Sequence, residues 1–274
     1  VRWFKRSSAE IAGSPLGMVK SFFTGIYNPS VAKKLSLVLD EYQPDVVQVQ
    51  NLYPLLSTSI FKPLRKRRIP VVMRCPNYRL FCPNGLCLDN KGKVCEKCFS
   101  GFKEWWCVWK NCENSYFKSI GYAARNGFAR ISGNIRKGVD CFIVQSEFQK
   151  RKFMAQGIPA DRIGILPGIS PVIQPTGTKE VGEAVTFVGR VSAEKGINEF
   201  VEAAKRLSHI PFKVAGNIDS NYHIPDSLPS NIEFLGFVCG EALNDLYRRS
   251  RMIVVPSKWY EGFPNVIVRG MLLE

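Results

Sequence analysis

Three features are scarce or missing in this sequence of 274 residues. There is no run of eighteen or more apolar residues, so the sequence predicts no transmembrane helix. The amino-terminal stretch VRWFKRSSAEIAGSPLG is basic but has no continuous apolar segment, which argues against a secretory signal. The chain has only two histidines, His209 and His223, so its first half has no imidazole for a metal or for proton transfer.

Acidic residues are scarce in the first half of the chain. Residues 1–150 carry 24 Lys and Arg against 10 Asp and Glu, a net charge of +14, whereas residues 151–274 carry 14 against 13, a net charge of +1. This asymmetry favours phosphorylated substrates, an anionic membrane surface or nucleic acid as partners. Solubility alone is the alternative explanation.

The cysteines are concentrated in one place. Seven of the nine lie between Cys75 and Cys112, and Cys95 and Cys98 form a CxxC pair. Without a secretory signal the thiols are expected to be reduced, which favours metal binding over a disulfide framework. Two disulfides or free buried thiols remain the alternative.

Hydrophobic patterning predicts two α/β domains. In the first half, strands are predicted over 44–51, 69–75 and 138–146, with helices over 55–68, 115–137 and 147–157. After a Pro/Gly/Thr stretch the pattern restarts, with strands over 184–190, 211–216, 231–237 and 251–257 and helices between them. The predicted domains are 1–166, with a Cys-rich insertion over 76–113, a linker over 167–183, and an incomplete domain over 184–274. The sequence does not begin with Met and its first periodic segment is already helical, so we expect that it is truncated at both ends or is one piece of a longer protein.

Three loops follow predicted strands of the second domain: GRVSAEKG (189–196), GNIDSNYH (216–223) and WYEGFPN (259–265). Ligands of open α/β sheets bind at the carboxyl ends of the strands. Arg190 and Lys195 flank a helix start and could clamp a diphosphate there, although a solvated helix start has the same residues. In the third loop Gly262 permits close backbone approach, Pro264 suits a first helical residue and Glu261 can accept hydrogen bonds from sugar hydroxyls.

The combination of FVGRVSAEKG (187–196) and VVPSKWYEGFPNVIV (254–268) resembles the donor-binding domain of the retaining glycosyltransferases of family four, the glycosyl transferases group 1. NLYPLLS, YRLFCPNG and residues 138–166 resemble the acceptor-side domain of that family. The resemblance implies the GT-B fold, an α/β architecture of two Rossmann-like domains facing a cleft. It also implies the roles of the site residues: Gly189, Arg190 and Lys195 bind the donor diphosphate, catalytic Glu261 contacts the donor sugar, and so does the backbone of Gly262, Phe263, Pro264 and Asn265.

Three departures from the family pattern bear on activity. Arg269 stands where the family has a second Glu that holds the ribose, and Glu274 could replace that acid only in another helix register. Pro76 and Asn77 occupy the positions of a His–Asp pair of the acceptor-side domain. A glycine-rich loop near the amino terminus is not found.

Cys95 and Cys98 have the spacing of two zinc ligands, and two further ligands could come from Cys82, Cys87, Cys107 or Cys112. By analogy with related glycosyltransferases that carry a similar insertion, Cys82 and Cys112 are predicted to complete a structural zinc site with Cys95 and Cys98. Catalysis itself is expected to need no metal or other cofactor, because the diphosphate leaving group would be stabilised by side-chain cations and a helix dipole.

The sequence thus favours a retaining hexosyltransferase of surface polysaccharide biosynthesis. Its expected partners are a nucleotide-diphosphate sugar and a glycan or lipid-linked acceptor. It would be cytoplasmic and peripheral at the inner face of an anionic membrane. One alternative is a catalytically impaired relative that keeps the fold and nucleotide binding. A zinc-containing nucleic-acid-binding protein ranks last, because the cysteine spacing matches no finger ending in His and the α/β pattern dominates.

Overall fold

The computed structural model describes residues 1–7, 15–99, 101–168, 182–220, 222–225 and 227–273. The chain forms two compact units, Val1–Pro167 and Gly168–Glu274. Most of the predicted linker 167–183 lies outside the described residues, so the predicted domain boundaries stay a prediction.

The first unit is built on a parallel sheet whose strands lie in chain order, β1-β2-β3-β4. Helices separate most of the strands, as parallel crossovers require. Its elements are α1 (Pro15–Ile26), α2 (Pro29–Tyr42), β1 (Val47–Val49), α3 (Phe61–Lys66), β2 (Val71–Arg74), α4 (Trp105–Trp109), α5 (Tyr116–Ser132), α6 (Asn134–Gly138), β3 (Cys141–Val144), α7 (Glu147–Ala155) and β4 (Ile163–Ile165).

Helix α2 shows how local sequence defines these elements. The side chain of Asn28 accepts a hydrogen bond from Val31 N, and Pro29 is the first helical residue, a combination that favours a helix start. Val31, Leu35 and Leu39 recur every four residues and are all buried. The helix therefore presents one apolar face to the core of the unit.

Two predicted helices are interrupted in the structure. The helix predicted over 55–68 is replaced by a 3-10 turn, Thr58–Ile60, followed by α3, because Ser57 has a φ of 55° and caps the turn with its side chain. The helix predicted over 115–137 breaks at Gly133, whose φ of 63° ends α5 before α6 begins. Left-handed backbone cannot continue a right-handed helix, so both breaks are sharp.

The second unit has a parallel sheet of order β7-β6-β5-β8. The loops that follow β5, β6 and β8 leave the carboxyl ends of adjacent strands and therefore lie at one edge of the sheet. Its elements are β5 (Val185–Val188), α8 (Ile197–Arg206), β6 (Phe212–Ala215), β7 (Ile232–Gly236), α9 (Gly240–Arg248), β8 (Met252–Val254) and α10 (Asn265–Leu272).

An aromatic core holds α8 against this sheet. The ring centroid of Phe200 lies 5.6 Å from that of Phe187 on β5 and 5.2 Å from that of Phe212 on β6. Ile197 and Val201 are buried beside them. Since α8 begins directly after the GRVSAEKG loop, this packing fixes the position of the loop relative to the strand ends.

Candidate functional site

The loop after β5 carries Arg190 within a cluster of acids. Arg190 Nη1 lies 3.1 Å from Asp219 Oδ2, and Arg190 Nη2 donates to Glu194 Oε1. Asp219 belongs to the GNIDSNYH loop after β6, and Asp219 N donates to Val191 O at 3.0 Å. The side chain of Arg190 is half exposed, so these two carboxylates hold it at the surface where a ligand phosphate could replace them.

Lys195 and Glu261 come together from the two loops that the sequence singled out. Lys195 Nζ donates to Glu261 Oε1 at 2.6 Å, and the hydroxyl of Ser257 donates to the same oxygen at 2.8 Å. Lys195 Nζ also lies 4.9 Å from the ring centroid of Trp259. Both charged side chains are only partly exposed, 25% for Lys195 and 17% for Glu261, so the pair is oriented more firmly than a surface ion pair.

Backbone contacts lock these two loops against each other. Lys258 N donates to Glu194 O at 2.9 Å. Gly196 has a φ of +80°, and a Cβ added there would lie 2.0 Å from Pro256 O. A glycine is required at this position because the backbone of the second loop occupies the space of a side chain.

Two buried donors face no acceptor at this edge of the sheet. The hydroxyl of Ser192 and Trp259 Nε1 are buried and have no hydrogen-bond partner among the described residues. Each lies in one of the two interlocked loops. Buried donors are nearly always satisfied in folded proteins, so an unsatisfied pair here is typical of a site that a ligand completes.

The EGFPN segment leads from Glu261 into α10. Gly262 is buried, Pro264 precedes the first helical residue, Asn265, and Ile267 N donates to Pro264 O at 3.0 Å. The first N–H groups of a helix have no acceptor within the helix, and the helix dipole favours negative charge beside them. The remaining predicted binding residues also lie in the predicted loops: Gly189, Gly262, Phe263, Pro264 and Asn265. Their contact with a substrate stays a prediction.

Arg269 is engaged away from Glu261. Its Nε and Nη2 atoms donate to Asn244 Oδ1 on α9 at 3.0 and 2.8 Å. Asn244 in turn donates to Glu241 at 2.8 Å. The arginine therefore ties α10 to α9, and Glu274 lies outside the described residues.

Sequence reasoning missed three residues that contact the predicted site residues. Glu194 and Asp219 pair with Arg190, and Ser257 donates to Glu261. The available signal was that Glu194 and Asp219 belong to two of the three loops at the strand ends, whereas Ser257 falls in the predicted strand 251–257. Which of the polar residues in those loops would meet depended on the tertiary contacts.

The cysteines of the insertion gather around Cys98. All nine cysteines of the chain are free thiols. Burial raises the pKa of Cys98, and Cys82, Cys112 and Cys95 act on it in the same direction, so all four predicted zinc ligands lie in one neighbourhood. Cys82 hydrogen-bonds with Cys87, which lowers the pKa of Cys82 to about 7, and the hydrogen bond between Cys112 and Cys107 lowers the pKa of Cys112.

Two of the predicted zinc ligands each hydrogen-bond with a cysteine outside the predicted set, Cys82 with Cys87 and Cys112 with Cys107. Within the described ranges, no group of three or more His, Cys, Asp or Glu side chains has the spacing of a metal site. A tetrahedral site requires four ligands equidistant from the ion, so side-chain rotations would be needed before zinc could bind. Zinc binding by Cys82, Cys95, Cys98 and Cys112 stays a prediction. Metal analysis of the purified chain tests it: zinc near one equivalent would support it, and a metal-free folded chain would exclude it.

Comparison with known proteins gives a match in the second unit. Residues 182–274 match the family model described as Glycosyl transferases group 1. An uncharacterized 42.6 kDa protein in the cps region of Klebsiella pneumoniae is 24% identical over 262 residues, which cover 94% of this chain and 63% of that protein. The alpha-galactosylglucosyldiacylglycerol synthase of Streptococcus pneumoniae is 31% identical over 99 residues, 33% of this chain and 26% of the synthase.

Solved structures show the same fold. HepE of Anabaena, solved in complex with UDP-glucose, has a TM-score of 0.58 and 16% identity, covering 95% of this chain and 63% of that one. The lipopolysaccharide outer core galactosyltransferase WaaB has a TM-score of 0.50 and 14% identity, covering 94% of this chain and 59% of that one. The α/β class with parallel sheets and the likeness to GT-B glycosyltransferases are confirmed. The chain spans less than two thirds of the length of the Klebsiella protein, HepE and WaaB.

Proposed function

We propose that this chain is the nucleotide-sugar-binding part of a retaining hexosyltransferase of surface polysaccharide biosynthesis. The observation that carries the proposal is the Lys195–Glu261 pair, with Arg190 nearby on the same loop, at the carboxyl ends of parallel strands. Side-chain cations suit a diphosphate, and a fixed carboxylate suits the hydroxyl groups of a sugar. The diphosphate of a nucleotide-diphosphate sugar therefore matches the two cations, and its sugar matches the carboxylate of Glu261.

The reaction would be driven by electrostatic stabilisation of the leaving group. As the bond between the anomeric carbon and the diphosphate breaks, negative charge grows on the diphosphate oxygens. Arg190, Lys195 and the N-terminus of α10 are donors that are already in place when that charge develops. These groups supply the required positive charge through side chains and a helix dipole, so the proposal includes no metal in the catalytic step.

Binding of the diphosphate would free the acids that now hold the cations. Glu194 and Asp219 would lose Arg190 to the ligand, while Glu261 would exchange Lys195 for a sugar hydroxyl. Exchange of one charge-assisted bond for another costs little, which suits a site that must release its product.

The acceptor is proposed to be a glycan or a lipid-linked glycan. Two of the similar proteins are described by names that point to surface polysaccharides, a cps region in one and lipopolysaccharide in the other. The basic first half of this chain, with a net charge of +14 for residues 1–150 from 24 basic and 10 acidic residues, suits an acceptor presented at an anionic surface.

Peripheral attachment to a cytoplasmic membrane face is part of the proposal. Trp105, Trp109 and Phe102 of the insertion are at least half exposed, at 51%, 75% and 76%. Aromatic side chains next to Lys103 and Lys110 suit the boundary between headgroups and acyl chains. Among the described residues, no helix is long and apolar enough to span a bilayer. Cosedimentation with anionic and with neutral lipid vesicles tests the attachment. The attachment is rejected if the chain sediments with neither kind of vesicle.

Removing Glu261 tests the catalytic role. Glu261→Ala and Glu261→Gln are expected to lower sugar transfer by roughly 10- to 150-fold, since a hydrogen bond to a charged group contributes about 1.5–3 kcal/mol. The measurement is transfer by the full-length protein with a panel of UDP-, GDP- and ADP-sugars, alongside thermal-shift titration of each nucleotide.

Glu233→Gln, an exposed glutamate on β7 of the same unit, is the matched control and is expected to leave transfer unchanged. A wild-type protein that no nucleotide sugar stabilises would reject the proposal outright.

A catalytically impaired relative is the second candidate, and Arg269 is the observation that favours it. Two hydrogen bonds hold its side chain against Asn244, and the resemblance implies a ribose-binding acid at this position. This candidate predicts nucleotide binding without transfer. Measured transfer that disappears in Glu261→Ala would exclude it.

A further inference from the structure

The first unit has a narrow cavity of about 30 Å³ at the carboxyl ends of β1 and β2. Its polar lining includes Gln50, Tyr53, Arg74, Asn77 and Arg79. This is the edge of a parallel sheet at which ligands usually bind. None of these residues takes part in the site of the second unit described above.

Two residues of this lining each carry a buried donor that has no acceptor in the described part of the chain. The hydroxyl of Tyr53 and Arg79 Nε are buried and lack a hydrogen-bond partner within the described residues. An unsatisfied buried donor is destabilising, so both atoms favour an acceptor that a ligand would supply. Asn77 Oδ1 accepts from Arg79 N at 3.0 Å, so the backbone of Arg79 is held while its side chain stays unsatisfied.

Gly85, six residues further along the Cys-rich insertion, packs closely against Arg79. Gly85 has a φ of +82°, and a Cβ there would lie 3.3 Å from Arg79 Cβ and 3.4 Å from Arg79 Nε. Tyr78 N donates to Gly85 O at 3.1 Å. A side chain at position 85 would press on the arginine, so glycine keeps the room that its guanidinium occupies.

A second, fully buried arginine lies near the first. Arg125 is 3% exposed, and its guanidinium lies 4.3 Å from the ring centroids of both Tyr53 and Tyr122. Arg125 Nη2 donates to Pro83 O at 2.7 Å. Burial lowers the pKa of Arg125 to about 10, which still leaves it charged at neutral pH.

The charges around the cavity do not balance. Glu113 is the carboxylate that interacts with both Arg79 and Arg125, and burial raises its pKa. Arg74 joins Arg79 as a second cation of the lining. Positive charge in a partly desolvated cavity is costly unless an anion accompanies it.

We propose that this cavity binds one oxyanion group of the sugar acceptor, a phosphate or a carboxylate, through Arg79 Nε and the Tyr53 hydroxyl. The identification of the ligand as the sugar acceptor rests on the proposed function. The oxyanion site itself does not depend on that function. The oxyanion site selects a charged acceptor, such as a glycan with a phosphate or a uronic acid at its reacting end. Neutral glycans would leave both donors unsatisfied.

Calorimetric titration of the full chain tests the site, with inorganic phosphate and glucuronate as separate probes and UDP present to fill the donor loops. Wild-type protein is expected to bind at least one probe. Arg79→Gln and Tyr53→Phe are each expected to weaken that binding tenfold or more and to leave UDP binding within twofold. Tyr53→Phe keeps the ring that Arg125 stacks on, so it removes only the hydroxyl. Preference for phosphate or for glucuronate identifies which anion the acceptor carries.

Arg151→Gln, an exposed arginine on α7 of the same unit, is the matched control and should bind both probes as wild type does. The proposal is overturned if neither probe binds wild-type protein, or if Arg79→Gln weakens UDP binding as much as probe binding, because the oxyanion would then be the donor's. Probe binding through Arg79 in a protein that binds no nucleotide sugar would reject the proposed function and the acceptor assignment while leaving the oxyanion site standing.

Discussion

Replacing Lys195 by methionine is expected to lower sugar transfer by about 100- to 1000-fold, the usual cost of removing one donor that stabilises charge in a transition state. Methionine keeps most of the length and apolar character of the lysine stem and removes only the ammonium group. Two interactions disappear together: the charge available to the diphosphate, and the 2.6 Å contact that orients Glu261. Affinity for the nucleotide sugar should fall by roughly 10- to 150-fold, the equivalent of about 1.5–3 kcal/mol.

Steady-state transfer and calorimetric titration of the donor measure the two effects separately. Lys205→Met is the matched control, because Lys205 is an exposed lysine on α8, the helix that follows the same loop. It is expected to behave as wild type. Donor affinity in Lys195→Met within twofold of wild type would mean that Lys195 does not contact the diphosphate.

Gly196→Ala is expected to lower the free energy of unfolding of the second unit by at least about 3 kcal/mol, in the range of severe single substitutions. The added Cβ would lie 2.0 Å from Pro256 O, and that carbonyl belongs to backbone that cannot rotate away like a side chain. Relief of the clash would separate the two loops and lengthen the distance between Lys195 and Glu261. Donor binding should therefore be lost along with stability.

Gly236→Ala separates the clash from backbone strain. Gly236 has a φ of +68°, close to the +80° of Gly196, but a Cβ added there meets nothing within 4 Å. The free energy of unfolding of Gly236→Ala should fall only by the cost of a non-glycine residue with left-handed φ, about 1–3 kcal/mol. Chemical denaturation followed by tryptophan fluorescence measures both variants. Equal losses of unfolding free energy in Gly196→Ala and Gly236→Ala would show that the loops are not interlocked as described.

Much of the fold could be predicted because its signals are local. The parallel strands appear as short apolar runs, and α8 appears as apolar residues at helical spacing, with Ile197, Phe200 and Val201 all buried in the structure. The interruptions at Ser57 and Gly133 were missed because a left-handed φ leaves a weak trace in composition. Gly133 had a usable signal, since glycine commonly ends a helix, whereas serine at position 57 had none.

The sequence also determined which segments bear the candidate site. GRVSAEKG and EGFPN follow strands of a parallel sheet, and this position alone places their polar residues at the edge where ligands bind. The tertiary structure decided which residues meet there. Lys195 pairs with Glu261 across 66 positions, Arg190 takes Asp219 as a partner, and Arg269 turns to Asn244.

The same division holds for the first unit. A basic composition was visible in the sequence, but only folding put Arg125 beside Tyr53 and left the Tyr53 hydroxyl and Arg79 Nε without an acceptor among the described residues. Propensity and periodicity act over a few neighbouring residues, so a sequence can specify its strands, helices and loop chemistry. Side-chain partners far apart in the chain depend on strand register and helix packing, and these emerge only when the whole core is assembled.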